Sequence, residues 1–274
     1  MGCAPAHSSC KMRLVFIRNA IDQCAVLRAM PAAVRDALAA GSTLRRYRSR
    51  EYIWRVGDPD DSLQVVADGM VLIGNMGPDA EEIVLHVVAR GECMGEPGIY
   101  SAQGDRRTDA RACGRTTIVE VPGDTVREVL EASPEAMRIF VRRVSDIARA
   151  HAGRMALAAF HDARARLAQL LLDLADSHGV PTPRGRRIEL PLTQRTLAGL
   201  VSVRRECVNR LLAALAHEGA LALEGGLITV LDEPLLRSVI AIEVGRPHAR
   251  TRHPCTTPIL PAPAPAPRAR SALR

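Results

Sequence analysis

No uninterrupted apolar run in the 274 residues is long enough to cross a bilayer, which excludes a helical membrane span. Met1 to Cys10 lack the basic region and apolar stretch of a secretory leader, so a cytoplasmic chain with seven reduced cysteines is expected. Tight C-x-x-C grouping is missing too, which disfavours a cysteine-held metal or cluster. Nucleophile-elbow, phosphate-loop and zinc-protease motifs are also absent. The scattered Ser, His and Asp residues have no spacing that implies catalysis, so no catalytic residue and no enzyme is expected.

What is present is an ordinary soluble composition, 47% hydrophobic and 24% charged, in a chain long enough for two modest domains. The net charge is +7, but it is unevenly placed. Beyond Glu243 stand six arginines (Arg246, Arg250, Arg252, Arg268, Arg270, Arg274) and no acid, so the rest of the chain is close to neutral. A more telling excess lies between Arg184 and Gly219, where seven arginines face three glutamates.

Along the chain, residues 1–44 read as an irregular start followed by a short helix from Pro31 to Ala40, with Gly41 as its stop. Over residues 45–132, short apolar runs (Ser62 to Val66, Met70 to Ile73, Glu82 to Val88, Thr117 to Val121) alternate with Gly, Pro, Asn and Asp clusters. That spacing predicts a small antiparallel sandwich or barrel. Ser133-Pro134-Glu135 supplies an N-cap, an N1 proline and a first-turn acid for a long helix to about Phe160. Its stripe of Met137, Phe140, Val144, Ile147, His151, Met155 and Ala158 steps by three and four, as in a helix packed on another helix. Residues 133–162 are therefore read as a dimerisation helix and hinge. A further helix from Ala163 to His178, closed by Gly179, opens a unit over 163–242. From about Arg187 to Val239 the order is strand, helix, helix, hairpin, helix, and Glu224-Gly225-Gly226 joins the hairpin. The Pro/Ala/Arg-rich residues 243–274 are expected to be a disordered tail.

Thr193 to Gly219, TQRTLAGLVSVRRECVNRLLAALAHEG, is the most informative stretch. Thr193 can cap a short helix with an apolar face of Leu197, Leu200 and Val201. The small residues Ala198 and Ser202 suit a close crossing to a second helix, Arg204 to His217. That helix buries Val208, Leu211, Leu212 and Leu215, and presents Arg204, Arg205, Glu206, Asn209 and Arg210 near its N-terminal half. An arginine fork can donate twice to guanine, and a glutamate can accept from cytosine N4. Glu206 and Arg210 at i,i+4 could equally form an exposed ion pair, but the two-helix context and the wing favour base readout, with Thr193, Gln194 and Arg195 alongside.

These residues carry a resemblance to the cyclic-AMP receptor protein/Fnr superfamily of bacterial transcription regulators, over about residues 45 to 240. RRECVNR (Arg204 to Arg210) resembles the family's recognition helix, with Arg205, Glu206 and Arg210 at the positions that read a TGTGA-type half-site. AFHDARARLAQLLLDLA (Ala159 to Ala175) resembles the hinge between long helix and DNA domain. The fold class implied is α+β: an N-terminal cyclic-nucleotide-binding β-barrel of jelly-roll type, a long dimerisation helix and a C-terminal winged helix-turn-helix. The resemblance implies double-stranded DNA, a second copy of the chain and RNA polymerase as partners.

GDPDDSLQVVADGMV (Gly57 to Val71) and RGECMGEPGIY (Arg90 to Tyr100) resemble the barrel and the cassette that cradles a cyclic phosphate. Gly95, Glu96 and Gly98 match the pattern. Aligned without gaps, Arg106 falls at the phosphate arginine and Arg107 replaces the usual Ser or Thr; a one-residue shift would use Arg107 and Thr108 instead. His151 and Ala152 stand where the family's namesake places base-contacting Thr and Ser, so the contacts there must differ. Cyclic AMP is the cofactor this implies. An iron-sulfur cluster on Cys3, Cys10, Cys24 and Cys113, or haem through His86 or Cys93, is the less favoured family alternative. Cys207 is read as a small buried or groove-facing side chain. A signalling module acting through protein partners is the rival from another class.

Overall fold

The computed structural model describes residues 5–76 and 82–244. The expected tail lies outside the described residues from position 245 on. Its first two residues end the last helix instead.

The N-terminus departs from the expectation of an irregular start. Residues Pro5–Gln23 form helix α1, followed by α2 (Ala25–Arg28) and α3 (Ala32–Gly41). Ile17, Ala20, Ile21 and Cys24 fall on one helical stripe and are almost wholly buried, so burial of that stripe explains the helix.

Eight strands make two antiparallel four-stranded sheets. The first has the order β1 (Thr43–Tyr47), β8 (Thr116–Pro122), β3 (Ser62–Asp68), β6 (Cys93–Met94). The second runs β2 (Tyr52–Trp54), β7 (Asp109–Ala112), β4 (Met70–Met76), β5 (Glu82–Ala89). Successive side chains of a strand face opposite ways. Val66, Ile118 and Met94 therefore meet Trp54, Val71, Val88 and Ala110 between the sheets. Leu63, Val65, Val119 and Val121 point outward and are covered by α1, α3 and α4 (Gly123–Glu131). On the second sheet the outward set is Met70, Leu72, Val84 and Val87. A register shift in the β4–β5 pairing lets both valines face the same way despite their odd spacing.

Helix α5 (Pro134–Phe160) starts as expected, with Ser133 Oγ accepting from the Ala136 N–H at 3.3 Å. Its apolar stripe divides. Phe140 is buried against the N-terminal sheet layer, with Met137 and Val144 packed beside it, whereas Met155 is 74% exposed. The first turns of the expected dimer stripe thus serve the protomer's own core, because the outward face of the first sheet and α4 present apolar surface to them.

Only His161 and Asp162 separate α5 from α6 (Ala163–His178). Asp162 caps α6, its Oδ1 accepting from the N–H groups of Arg164 (2.7 Å) and Ala165 (2.9 Å). Gly179 ends α6 in an extended conformation rather than a left-handed cap, and begins β9 (Gly179–Thr182). A Cβ there would lie 2.2 Å from the Ala175 carbonyl oxygen, so glycine is required by close approach. A third sheet follows, in the order β11 (Leu221–Glu224), β12 (Leu227–Val230), β10 (Gly185–Ile188), β9. It packs with α6, α7 (Gln194–Val201), α8 (Arg205–His217) and α9 (Glu233–Val244). One continuous apolar cluster joins this unit to the outward face of β4 and β5, with α7 lying against β5.

Candidate nucleic-acid interface and effector cassette

The α7–turn–α8 pair forms as the sequence leads one to expect. Thr193 Oγ1 accepts from the Thr196 N–H at 3.1 Å and starts α7. Leu197, Ala198 and Val201 are buried. Ser202 stands in the turn, exposed and left-handed (φ 53°, ψ 53°), so its place is set by backbone conformation rather than by a close helix crossing. In α8, Cys207, Val208, Leu212 and Leu215 are buried and hold the helix to the unit's core. At about 100° per residue, Arg205, Asn209, Glu206 and Arg210 span an arc of about 140° on the opposite side. Arg204, Arg205, Glu206 and Arg210 are exposed and Asn209 is half-buried. Thr193, Gln194 and Arg195 are exposed at the start of α7. The hairpin β11–β12 turns through Gly225 (φ 59°) and Gly226 (φ 81°), two positive angles that suit a tight turn and make the wing.

Two contacts tie the hinge to this motif. Arg166 donates to the His161 carbonyl (3.1 Å) and to the Val201 carbonyl at the end of α7 (3.2 Å). Arg164 pairs with Glu218 just beyond α8. The junction and the helix pair are thereby in direct polar contact.

In the barrel, Gly95 is left-handed (φ 94°) and leads into a 3₁₀ turn at Glu96–Gly98. Glu96 is 3% exposed; its Oε1 accepts from Arg143 Nε of α5 at 2.8 Å and from the Cys93 thiol at 3.3 Å. Arg106 points inward and is 4% exposed. It pairs with Asp60, donates to Ser62 O (2.9 Å) and Ser62 Oγ (3.2 Å), and lies 4.1 Å above the Trp54 ring. Arg107 points outward, 68% exposed, and donates to Gln103 Oε1 at 3.0 Å. Thr108 contributes its carbonyl to Trp54 Nε1 at 2.8 Å. Burial lowers the Arg106 pKa and raises that of Asp60, each opposed by the other's charge.

His151 is exposed on α5, two helical turns beyond Arg143, which is the α5 side chain that meets the cassette. Partial desolvation of the ring and the Arg154 charge lower its pKa. Asp60, Trp54 and Arg143 were not foreseen. Arg106 and Asp60 are 46 positions apart and Arg143 and Glu96 are 47 apart, so only the fold pairs them.

Of the cysteines considered for a cluster, Cys3 lies outside the described residues. Cys24 and Cys113 belong to different cores: Cys24 packs in the N-terminal layer, Cys113 against the cluster shared with the C-terminal unit. Cys24 is hydrogen-bonded to Cys93, which lowers the Cys24 pKa and raises that of Cys93. His86, on β5, is contacted by Arg154 at 3.0 Å. Among the described residues no helix is long and apolar enough to cross a membrane.

A two-sheet β-barrel joined by a long helix to a winged helix-turn-helix has the architecture of a DNA-binding transcription regulator. Residues 44–133 match the cyclic nucleotide-binding domain, and residues 165–239 the Crp-like helix-turn-helix domain. The CRP-like cAMP-activated global transcriptional regulator of Mycobacterium tuberculosis is 30% identical over 184 residues, 67% of this chain and 82% of that protein. The fold is shared with solved structures, among them these two. FixK2 from Bradyrhizobium japonicum has a TM-score of 0.65 at 20% identity, over 72% of this chain and 96% of its own. The c-di-GMP responsive global regulator CLP of Xanthomonas campestris has a TM-score of 0.62 at 25% identity, over 74% and 100%. The chain belongs to the CRP-like family of transcription regulators. It is a regulator, not an enzyme.

Proposed function

We propose that the protein binds a palindromic TGTGA-like DNA site as a dimer and that a cyclic nucleotide in the barrel controls this binding. The division into sensor (45–132), dimerisation helix and hinge (133–162) and DNA module (163–242) is part of this reading. The observation that carries it is the joint exposure of Arg205, Glu206 and Arg210 on one arc of α8, with the wing beside it. Arginine recognises guanine O6 and N7, glutamate recognises cytosine N4, and a shared arc allows all three to enter one major groove. Thr193, Gln194, Arg195 and Arg204, near the same end of the motif, supply backbone phosphate contacts. In the barrel, Gly95, Glu96, Gly98 and Arg106 hold the ribose and phosphate, and cyclic AMP is the effector we favour, given the cAMP-activated relative. RNA polymerase is the protein partner, and the cytoplasm the site of action.

Selection of bound DNA from a random pool, with and without cyclic AMP, tests both halves. Enrichment of an inverted TGTGA repeat that sharpens with the nucleotide is the expected result; a pool that stays random in both arms would reject base readout. A third arm with cyclic di-GMP is warranted by the CLP neighbour and by Arg107, which stands beside the cassette arginine and points outward.

A further inference from the structure

Three acids follow one another in the loop before β3, and each has a different partner. Asp58 accepts from the Arg55 N–H (2.7 Å) and shapes the turn. Asp61 pairs with Arg127 of α4 at 2.9 Å. Asp60 alone is aimed into the barrel, 15% exposed, onto the buried Arg106. Its carboxylate fills the concave side of the cassette turn: a Cβ built on Gly98 would lie 2.0 Å from Asp60 Oδ1. Gln64 beside it is 5% exposed, and its Oε1 has no donor among the described residues, so the space next to Arg106 is polar and incompletely satisfied.

A guanidinium that is 4% exposed needs an anion, because an unpaired buried charge is strongly unfavourable. A carboxylate and a cyclic phosphate both offer two oxygens and one negative charge, and both match the arginine fork. We infer that Asp60 is the cassette's resident anion, a carboxylate latch holding Arg106 where a ligand phosphate would bind, so that an effector enters only by displacing it. This rests on the reading of the barrel as a cyclic-nucleotide site and adds its regulation. Competition of this kind multiplies the intrinsic affinity by the fraction of molecules with the latch open. A latch closed in nine molecules of ten weakens binding about tenfold. It also selects for ligands whose anion outcompetes a tethered carboxylate, and so against uncharged nucleosides.

The test is isothermal titration of the full-length protein with cyclic AMP and with cyclic GMP, using wild type, Asp60→Asn, Asp60→Ser and Arg106→Gln, with circular dichroism as the check on folding. Both Asp60 variants are expected to bind about tenfold or more tightly than wild type, to melt lower than wild type without ligand, and to recover with it. Arg106→Gln is expected to lose binding. Binding by the Asp60 variants alone also supports the latch. Wild-type binding that the Asp60 variants match or fail to reach overturns the latch and leaves the cyclic-nucleotide site standing. No binding by any of the four proteins overturns both.

Discussion

Arg210 shows what a single side chain contributes. It lies one turn beyond Glu206 on the exposed arc of α8, where a bidentate contact to guanine is worth about 1–3 kcal/mol of discrimination. Arg210→Ala should weaken the selected site by that amount and relax preference at one base pair, while binding to random DNA changes little. A gel-shift series showing equal loss on both would remove base readout by this residue. His86 makes a different kind of contribution. Burial, with Arg154 beside it, lowers its pKa from 6.5 to about 3. The unfolded chain therefore takes up a proton near pH 6.5 that the folded protein refuses until about pH 3. Stability should be unaffected above pH 7 and fall as pH drops through that window, by at most about 1.4 kcal/mol per pH unit, less where solvent reaches the ring. Chemical denaturation of wild type and His86→Gln across pH 4 to 7 checks this; parallel curves would sink it.

Among the elements, the α5–α6 junction is the one whose sequence and structure agree most closely. Asp162 satisfies two of the free N–H groups that open α6. Asp162→Ala should cost about 1 kcal/mol of stability, and Asp162→Asn much less, since the amide oxygen still accepts. Urea melts of the two variants discriminate the cap from a purely electrostatic role. The junction was legible because caps, prolines and helical period are local signals, and the same holds for α7, α8 and the Gly225-Gly226 turn. Helix α1 was not read, although Ile17, Ala20, Ile21 and Cys24 already stand at helical spacing; a polar, proline-containing start hid the stripe. Strand β1 was missed because Thr43–Tyr47 carries two arginines and buries little, its place being fixed by pairing with β8. Strand β9 contains Pro181, which an edge strand tolerates and a sequence pattern does not announce.

At the scale of the molecule, the cassette, α5 and the DNA unit are linked by contacts that no local pattern encodes. Glu96 holds Arg143 of α5, α7 lies against β5, and the outward face of β4 and β5 shares its apolar cluster with α6 and α7. Under the proposed function, a ligand entering the cassette would act through Glu96 and Arg143 on the helix that leads to the hinge. That helix uses Met137, Phe140 and Val144 within its own protomer, yet leaves Met155 and Phe160 largely in solvent. In the proposed dimer, a second copy would pack against the stripe position Met155. A carboxylate placed on that seam would face its own symmetry mate, and two like charges brought out of water oppose association. Met155→Glu should thus be monomeric at micromolar concentration by analytical ultracentrifugation, fold with an unchanged barrel because the side chain is 74% exposed, and bind a single half-site as weakly as wild type does. A Met155→Glu protein that sediments as a dimer would place the interface elsewhere on the chain.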